Sequence, residues 1–315
     1  MAKTLEYFVA DDSTKIYYFK WIPEKEIRAI VIIAHGMAEH SERYDDFAKF
    51  LNENGFVVFA NDHRGHGKTA GSPEKVGFVS EKNGWDIMVE DFVKMVEIAK
   101  NNYPGIPVFV LGHSMGTFIV RDMVLISDNN KKLYPELKGI ILSGTGAGLG
   151  FIGKIGKLVF KMEIKKRGAS GKSHLLHNMS FGKYNKAFEP ARTEYDWLST
   201  NKDNVDRYIN DPYCGTVFSA SFFRDLAYGL EKVNNLNNIK RIKKDLPILL
   251  ISGEKDPVGN FTKGVKKVYS DYIKAGVIDI EMKFYEGLRH EILNETGKEK
   301  VYSDVLDWLN RKVSQ

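Results

Sequence analysis

One cysteine, Cys214, among 315 residues leaves no partner for a disulfide within the chain. No apolar run reaches about 18 residues, so no membrane-spanning helix is expected. Residues Met1 to Tyr7 lack the apolar stretch of a secretory leader. These absences make the cytoplasm the expected location. No internal repeat and no long low-complexity segment occurs. A basic arm is missing too: net charge is +5 and no binding motif accompanies it, so nucleic acid is not an expected partner.

What is present is 43% hydrophobic and 28% charged residues, the balance of a globular chain long enough to bury a large core. Eight segments read as strands. Leu5–Ala10 and Ile16–Trp21 alternate around Asp11-Asp12-Ser13-Thr14, which predicts an antiparallel hairpin. Ala29–Ala34, Phe56–Ala60, Val108–Leu111, Gly139–Leu142, Ile248–Ile251 and Ile280–Tyr285 are more continuously apolar, a pattern that suits parallel strands buried on both faces. Helical patterns fall between them at Tyr44–Asn54, Trp85–Asn101 and Thr262–Lys274, and Glu299–Val313 closes the chain. Strands alternating with helices predict an α/β fold with a mostly parallel eight-stranded sheet. The alternation stops between Ser143 and about Leu246, where helices are expected near Thr193–Asp203 and Thr216–Glu231. This interval predicts a helical cap over the sheet's C-terminal edge, inserted after strand 6. The expected division is core 1–145, cap 146–232 and core 233–315.

Gly112-His113-Ser114-Met115-Gly116 sits between a predicted strand and an amphipathic Thr117–Leu125. G-x-S-x-G in that setting is the nucleophile elbow of α/β-hydrolases. A serine needs a base to take its proton and an acid to orient the base. In this fold they follow in the order serine, acid, histidine. Only His174, His177 and His290 come after Ser114, and His290 alone directly follows a core strand. Asp256 follows the seventh strand; Glu254 and Asp279 are its rivals, with Asp256 favoured beside Pro257. The oxyanion donors would be the backbone amides of Met115 and of Met37, in the loop after the third strand.

Three motifs carry a family resemblance. They are His35-Gly36-Met37-Ala38-Glu39-His40-Ser41-Glu42-Arg43-Tyr44, then Asp62-His63-Arg64-Gly65-His66-Gly67, then Tyr103-Pro104-Gly105-Ile106-Pro107 before the elbow. In that order they resemble monoacylglycerol lipases and the related lysophospholipases, over most of the chain. The resemblance implies Ser114, Asp256 and His290 as the triad, and Met37 and Met115 as oxyanion donors. It implies that the insertion is a lipid-contacting cap, and that Glu39, Arg43 and Tyr208 line the alcohol end of the pocket. The mammalian enzymes carry a second histidine three residues after the catalytic one; here that position is Leu293.

Other features have plainer readings. His63 and His66, with Asp62, are expected to shape a loop rather than hold a metal. His113 is expected under the elbow. Gly148 to Gly153 spell G-x-G-x-x-G, but after the wrong strand and without a following ribose-binding acid, so a hinge is expected. Gly171-Lys172-Ser173 ends like a phosphate loop, yet position 166 is lysine. The basic segment 151–172 reads as a solvated helix face, with contact to anionic lipid as the sharper alternative. Phe218, Phe222, Leu226 and Leu230 have helical spacing and could line an acyl tunnel or pack the cap. Cys214 reads as a small buried hydrophobe. The expected function is hydrolysis of lipid-like monoesters through an acyl-enzyme, with no metal or organic cofactor. Lysophospholipase, short-chain carboxylesterase, thioesterase and peptidase are the enzymatic rivals, and a ligand receptor on the same fold is the non-enzymatic one.

Overall fold

The computed structural model describes residues 2–127, 137–148 and 151–314, with the backbone alone for 127 and 151–155. Its strands are β1 (Ala2–Val9), β2 (Lys15–Ile22), β3 (Ala29–Ala34), β4 (Phe56–Asn61), β5 (Val108–His113), β6 (Leu137–Ser143), β7 (Ile248–Gly253) and β8 (Ile280–Tyr285). They form one eight-stranded sheet in the order β1-β2-β4-β3-β5-β6-β7-β8. The first hairpin pairs Ala2 with Ile22 through Val9 with Lys15, and β2 meets β4 antiparallel. Every later pairing is parallel, as expected for the α/β-hydrolase fold.

The helices are α1 (Asp45–Glu53), α2 (Gly84–Asn102), α3 (Met115–Ser127), α4 (Phe151–Arg167), α5 (His174–Phe181), α6 (Lys202–Asn210), α7 (Ala220–Val233), α8 (Leu236–Ile239), α9 (Lys263–Lys274) and α10 (Lys298–Val313). The sheet separates two apolar cores. In β3, Ile30, Ile32 and Ala34 enter one core while Ala29, Val31 and Ile33 enter the other. That double burial is why the strand is apolar at every position. Side chains of α2, α3, α7 and α9 fill the first core; α1 and α10 fill the second.

Between Ser143 and Ile248 the described residues hold no strand, only an isolated bridge from Lys172 to Ser219. The helix expected over Thr216–Glu231 is α7, which starts where the Ser219 side chain accepts from the Phe222 amide. Phe218, Phe222 and Leu230 are buried in the main core and do not line the cavity that holds Ser114. They pack rather than form a tunnel, and α7 packs against α2 and α3 as a core layer. The helix expected over Thr193–Asp203 is absent. Asp196–Leu198 makes one 3-10 turn, and α6 begins only at Lys202. Local polar groups stop the earlier helix. The Asp196 carboxylate accepts from the Arg192 amide at 2.5 Å and the Thr193 hydroxyl at 2.6 Å. Asn201 then caps α6 by accepting from the Asp203 and Asn204 amides. α5 was not expected. Of the G-x-G-x-x-G hinge, Leu149 and Gly150 lie outside the described residues.

Candidate active site

β5 ends at His113 and α3 begins at Met115, so Ser114 alone makes the turn. It does so at φ +52°, a left-handed conformation that side chains usually avoid. Two glycines let the chain close that tightly. A Cβ on Gly112 would lie 2.5 Å from the Gly116 carbonyl oxygen, and one on Gly116 would lie 2.0 Å from that of Ala34. The Ser114 amide donates to the Ser143 carbonyl at 2.9 Å, which ties the turn to β6.

Asp256 is fully buried in the loop after β7. Its Oδ1 accepts from the Val258 amide at 2.8 Å and its Oδ2 from the Ser252 hydroxyl at 3.3 Å. Oδ1 also lies 2.9 Å from Nδ1 of His290, in the loop after β8. At that distance the carboxylate faces the Nδ1 edge of the ring and supports a proton there. The imidazole is flanked by two other rings: His113 at 4.7 Å and Trp197 at 5.3 Å between centroids. Burial opposes a charge on His290, but the facing Asp256 carboxylate, with Glu291 and Glu39 beyond it, outweighs burial and raises its pKa above 6.5. His113 goes the other way: burial and its His290 neighbour push it down to about 4. The rivals of Asp256 lie elsewhere. Glu254 is exposed, and Asp279 sits at the opposite sheet edge, where it accepts from Lys312 at 2.6 Å.

Ser114 and His290 line one cavity of about 600 Å³ together with Met37, Glu39, Trp197 and Tyr208. The Met115 amide opens α3, where first-turn amides have no partner within the helix. Behind Met37 the loop is shaped by Glu39, whose Oε1 accepts from the Gly36 amide at 2.6 Å and the Tyr44 hydroxyl at 2.8 Å. Arg43 is not among the cavity-lining residues. Its guanidinium grips Glu291 at 2.6 and 2.7 Å, reaches Glu39 at 2.8 Å and lies 4.9 Å from the Tyr208 ring centre. Burial works against the charge on Glu39, yet Arg43 beside it holds its carboxyl below the usual range. Leu293 is also away from the cavity, buried in the second core, with its carbonyl accepting from Tyr302.

His63 and His66 form a buried cluster with His35, whose Nε2 accepts from the His63 amide at 2.9 Å. Asp62 is occupied by Ser41 and the Lys68 amide. These groups shape the loops after β3 and β4. One other grouping, His40, Asp211 and Cys214, brings its potential metal ligands within 4.8 Å of one another. There His40 and Asp211 are already paired at 2.8 Å, and burial pushes the Cys214 thiol up, which keeps it protonated.

Sequence reasoning missed Trp197, Glu291 and Glu295. Glu295 is buried, and its Oε2 accepts from the Ser199 hydroxyl, the Thr200 amide and hydroxyl, and the Asn201 amide. Two carboxylates so soon after His290 were a usable signal, because an acidic pair on a short loop has to find partners.

Residues 25–297 match the family Hydrolase_4, described as serine aminopeptidase, S33. The chain is 29% identical to a monoacylglycerol lipase of Mycolicibacterium smegmatis, over 96% of this chain and 95% of that one. It is 27% identical to the monoglyceride lipase of Mus musculus, over 98% of this chain and 91% of that one. A solved carboxyl esterase from Bacillus coagulans, in complex with glycerol, aligns with TM-score 0.90 at 28% identity, covering 99% of both chains.

Proposed function

The chain belongs to the Hydrolase_4 family, serine aminopeptidase S33, and is a carboxylic ester hydrolase; from that premise we propose that it cleaves lipid-like monoesters, monoacylglycerol foremost, through an acyl-enzyme on Ser114. The observation that carries this reading is the shared cavity: Ser114 on its strained turn and His290 backed by Asp256 face one space.

His290 takes the Ser114 proton as the hydroxyl attacks the ester carbonyl. Asp256, at Nδ1, keeps the ring in the tautomer whose Nε2 can accept. The Met37 and Met115 amides hold the oxyanion, each worth about 3–4 kcal/mol in the transition state. His290 returns the proton to the departing alcohol. Water then repeats the sequence on the acyl-enzyme and releases the acid.

Glu39 and Tyr208 line the alcohol end, while Arg43 fixes both from behind. The mixed lining, with aromatic Phe181, Trp197 and Tyr208 and carboxylates Glu39 and Glu291, suits a small polyol ester with an acyl chain. The likeness to an esterase with bound glycerol supports the same end group. A second reading, a peripheral lipid contact, rests on α4 and α5. Leu158 is 67% exposed and Met162 62%, beside Lys157, Lys161 and Lys165, and Leu175 and Met179 are exposed on α5. The described side chains of segment 151–172 thus present apolar groups among lysines, the pattern of an interfacial helix. No helix among the described residues is long and apolar enough to cross a membrane.

The deciding experiment is a hydrolysis panel of monoacylglycerols, lysophospholipids and simple esters of graded chain length. The highest kcat/KM is expected on a monoacylglycerol. A clear preference for lysophospholipids or for short-chain esters would overturn the substrate assignment.

A further inference from the structure

His290 has neighbours besides Asp256 that bear on how its ring is held. The 2.9 Å contact between His290 and Asp256 at Nδ1 fixes one edge of the ring and leaves its faces to other neighbours. Two other rings lie against the imidazole, tilted to it by 44° for His113 and 36° for Trp197. His113 belongs to β5, whereas Trp197 belongs to the inserted segment, far from His290 in sequence.

Trp197 is itself held from several directions. Its amide donates to the Asn185 side chain at 2.9 Å, and Phe181 and Tyr184 pack on its ring at 6.2 and 5.0 Å. The next residue, Leu198, accepts through its carbonyl from the Glu291 amide at 2.8 Å. Trp197 and His290, each one position earlier, are therefore brought side by side by backbone pairing. Glu295 locks this pairing from the histidine loop. Oε2 takes Ser199 at 2.7 Å and Thr200 at 2.8 and 2.6 Å, while Oε1 takes the Arg289 amide at 2.9 Å. The Arg289 side chain adds a bond to the Ser199 carbonyl at 3.3 Å and another to that of Asp196.

We propose that Glu295 and Trp197 are positioning residues for His290: Glu295 buckles segment 196–201 onto the histidine loop, and Trp197 thereby covers and orients the imidazole. The inference rests on His290 being the general base. It gives the insertion a part in the chemistry, because one wall of the histidine's seat comes from it. The indole face also favours the imidazolium that forms when His290 takes the serine proton. Both oxygens of residue 295 must accept. A glutamine there would point its NH2 either at the Arg289 amide or at the Ser199–Asn201 donors, and either arrangement opposes donor to donor.

The groups around His290 that can move its titration are Asp256, Glu291, Glu39 and His113, with Tyr184 close to Asp256. None is altered in the test. Trp197→Leu is expected to lower kcat about tenfold with KM changed less than about twofold, and to lower the His290 midpoint by roughly half a pH unit. Trp197→Phe, which keeps a ring over the imidazole, is expected to recover most of both. Glu295→Gln is expected to reproduce the Trp197→Leu effects with the indole still present, and to add nothing in the Trp197→Leu background. If Glu295→Gln fails to fold, Ser199→Ala combined with Thr200→Val removes only the hydroxyl donors. Additive effects on kcat, or an unmoved His290 titration with only a lower Tm, would overturn the proposal. The titration is followed by NMR on the free enzyme, so it reports on the buckle even when the ester panel fails. Loss of all ester hydrolysis in the unaltered protein would sink the functional reading alone.

Discussion

The loops at the sheet's C-terminal edge and the helical insertion above them hold their shape by different means. Each edge loop leaves a strand of the sheet and is aimed by it, β5 and β7 fully buried and β8 only partly. Ser114, Asp256 and His290 follow β5, β7 and β8, and parallel strands make those ends face one way. The insertion has no strand among its described residues to aim it. Besides the aromatic contact of Trp197, it is joined to the site by a few buried polar groups: Arg43 between Glu39, Glu291 and Asn204, and Glu295 against Ser199–Asn201. Apolar burial tolerates repacking, whereas a buried charge fails abruptly when one partner goes. The edge should therefore be robust in structure and most fragile in chemistry, and the insertion more fragile in structure with a smaller share in the chemistry.

The sharpest test of the edge is Ser114→Ala. Hydrolysis of a p-nitrophenyl acyl ester should fall by roughly ten-thousand-fold or more while the thermal transition stays in place. Retained turnover would remove Ser114 from its role.

The boundary between the two regions is tested by Arg43→Met. It leaves Glu39 and Glu291 buried without their shared cation, for which a loss of about 3–5 kcal/mol is expected. Chemical denaturation reads it directly. Adding Glu39→Gln and Glu291→Gln to the same protein should recover part of the loss. A change below about 1 kcal/mol would mean that the network is solvated and does not join the regions.

Acid should separate activity from stability. His290 has a raised pKa, so kcat/KM should fall as pH drops through a midpoint above 6.5. His35 and His113 are held down to about 4 and His66 to about 3, each chiefly by burial. Between pH 6.5 and those values the unfolded chain binds more protons at these sites than the folded one. Stability should then fall as pH falls, with a slope of about 1.4 kcal/mol per pH unit from each histidine. His290 contributes with the opposite sign: its stabilisation is complete below pH 6.5 and is lost as pH rises through its own midpoint. Denaturation midpoints at pH 7 and pH 5 check the balance. Equal stability at both would contradict neutral buried histidines.

The smallest effect belongs to the outer surface of the insertion. Leu158→Ser with Met162→Ser should weaken binding to anionic vesicles severalfold and leave hydrolysis of a dissolved short ester unchanged. Equal weak binding of both proteins to anionic and neutral vesicles would remove lipid contact from the reading.

The same contrast explains what could be read from the residues alone. The strands were legible because β3 to β7 are buried on both faces and show it at nearly every position. The elbow was legible because two glycines flank a serine at fixed spacing. Asp256 and His290 were found from chain order and strand ends. Arg43 and Glu291 were not legible as partners, because 248 residues separate them and nothing local marks the pairing. Segment 193–203 looked helical because its turn-forming Thr193 and Asp196 resemble the start of a helix. Trp197 was invisible as a neighbour of His290 for the same reason as Arg43: only the folded insertion brings it there.

Gly116 carries a consequence of another kind. Its α-carbon sits so close to the Ala34 carbonyl that any side chain collides with backbone. Every amino-acid replacement reachable by one base change in a glycine codon brings a β-carbon with it. A gene copy can drift at most surface codons and many core ones, but from this codon no single step leads to another working protein. The turn that exposes the serine is also a fixed point in the chain's mutational landscape.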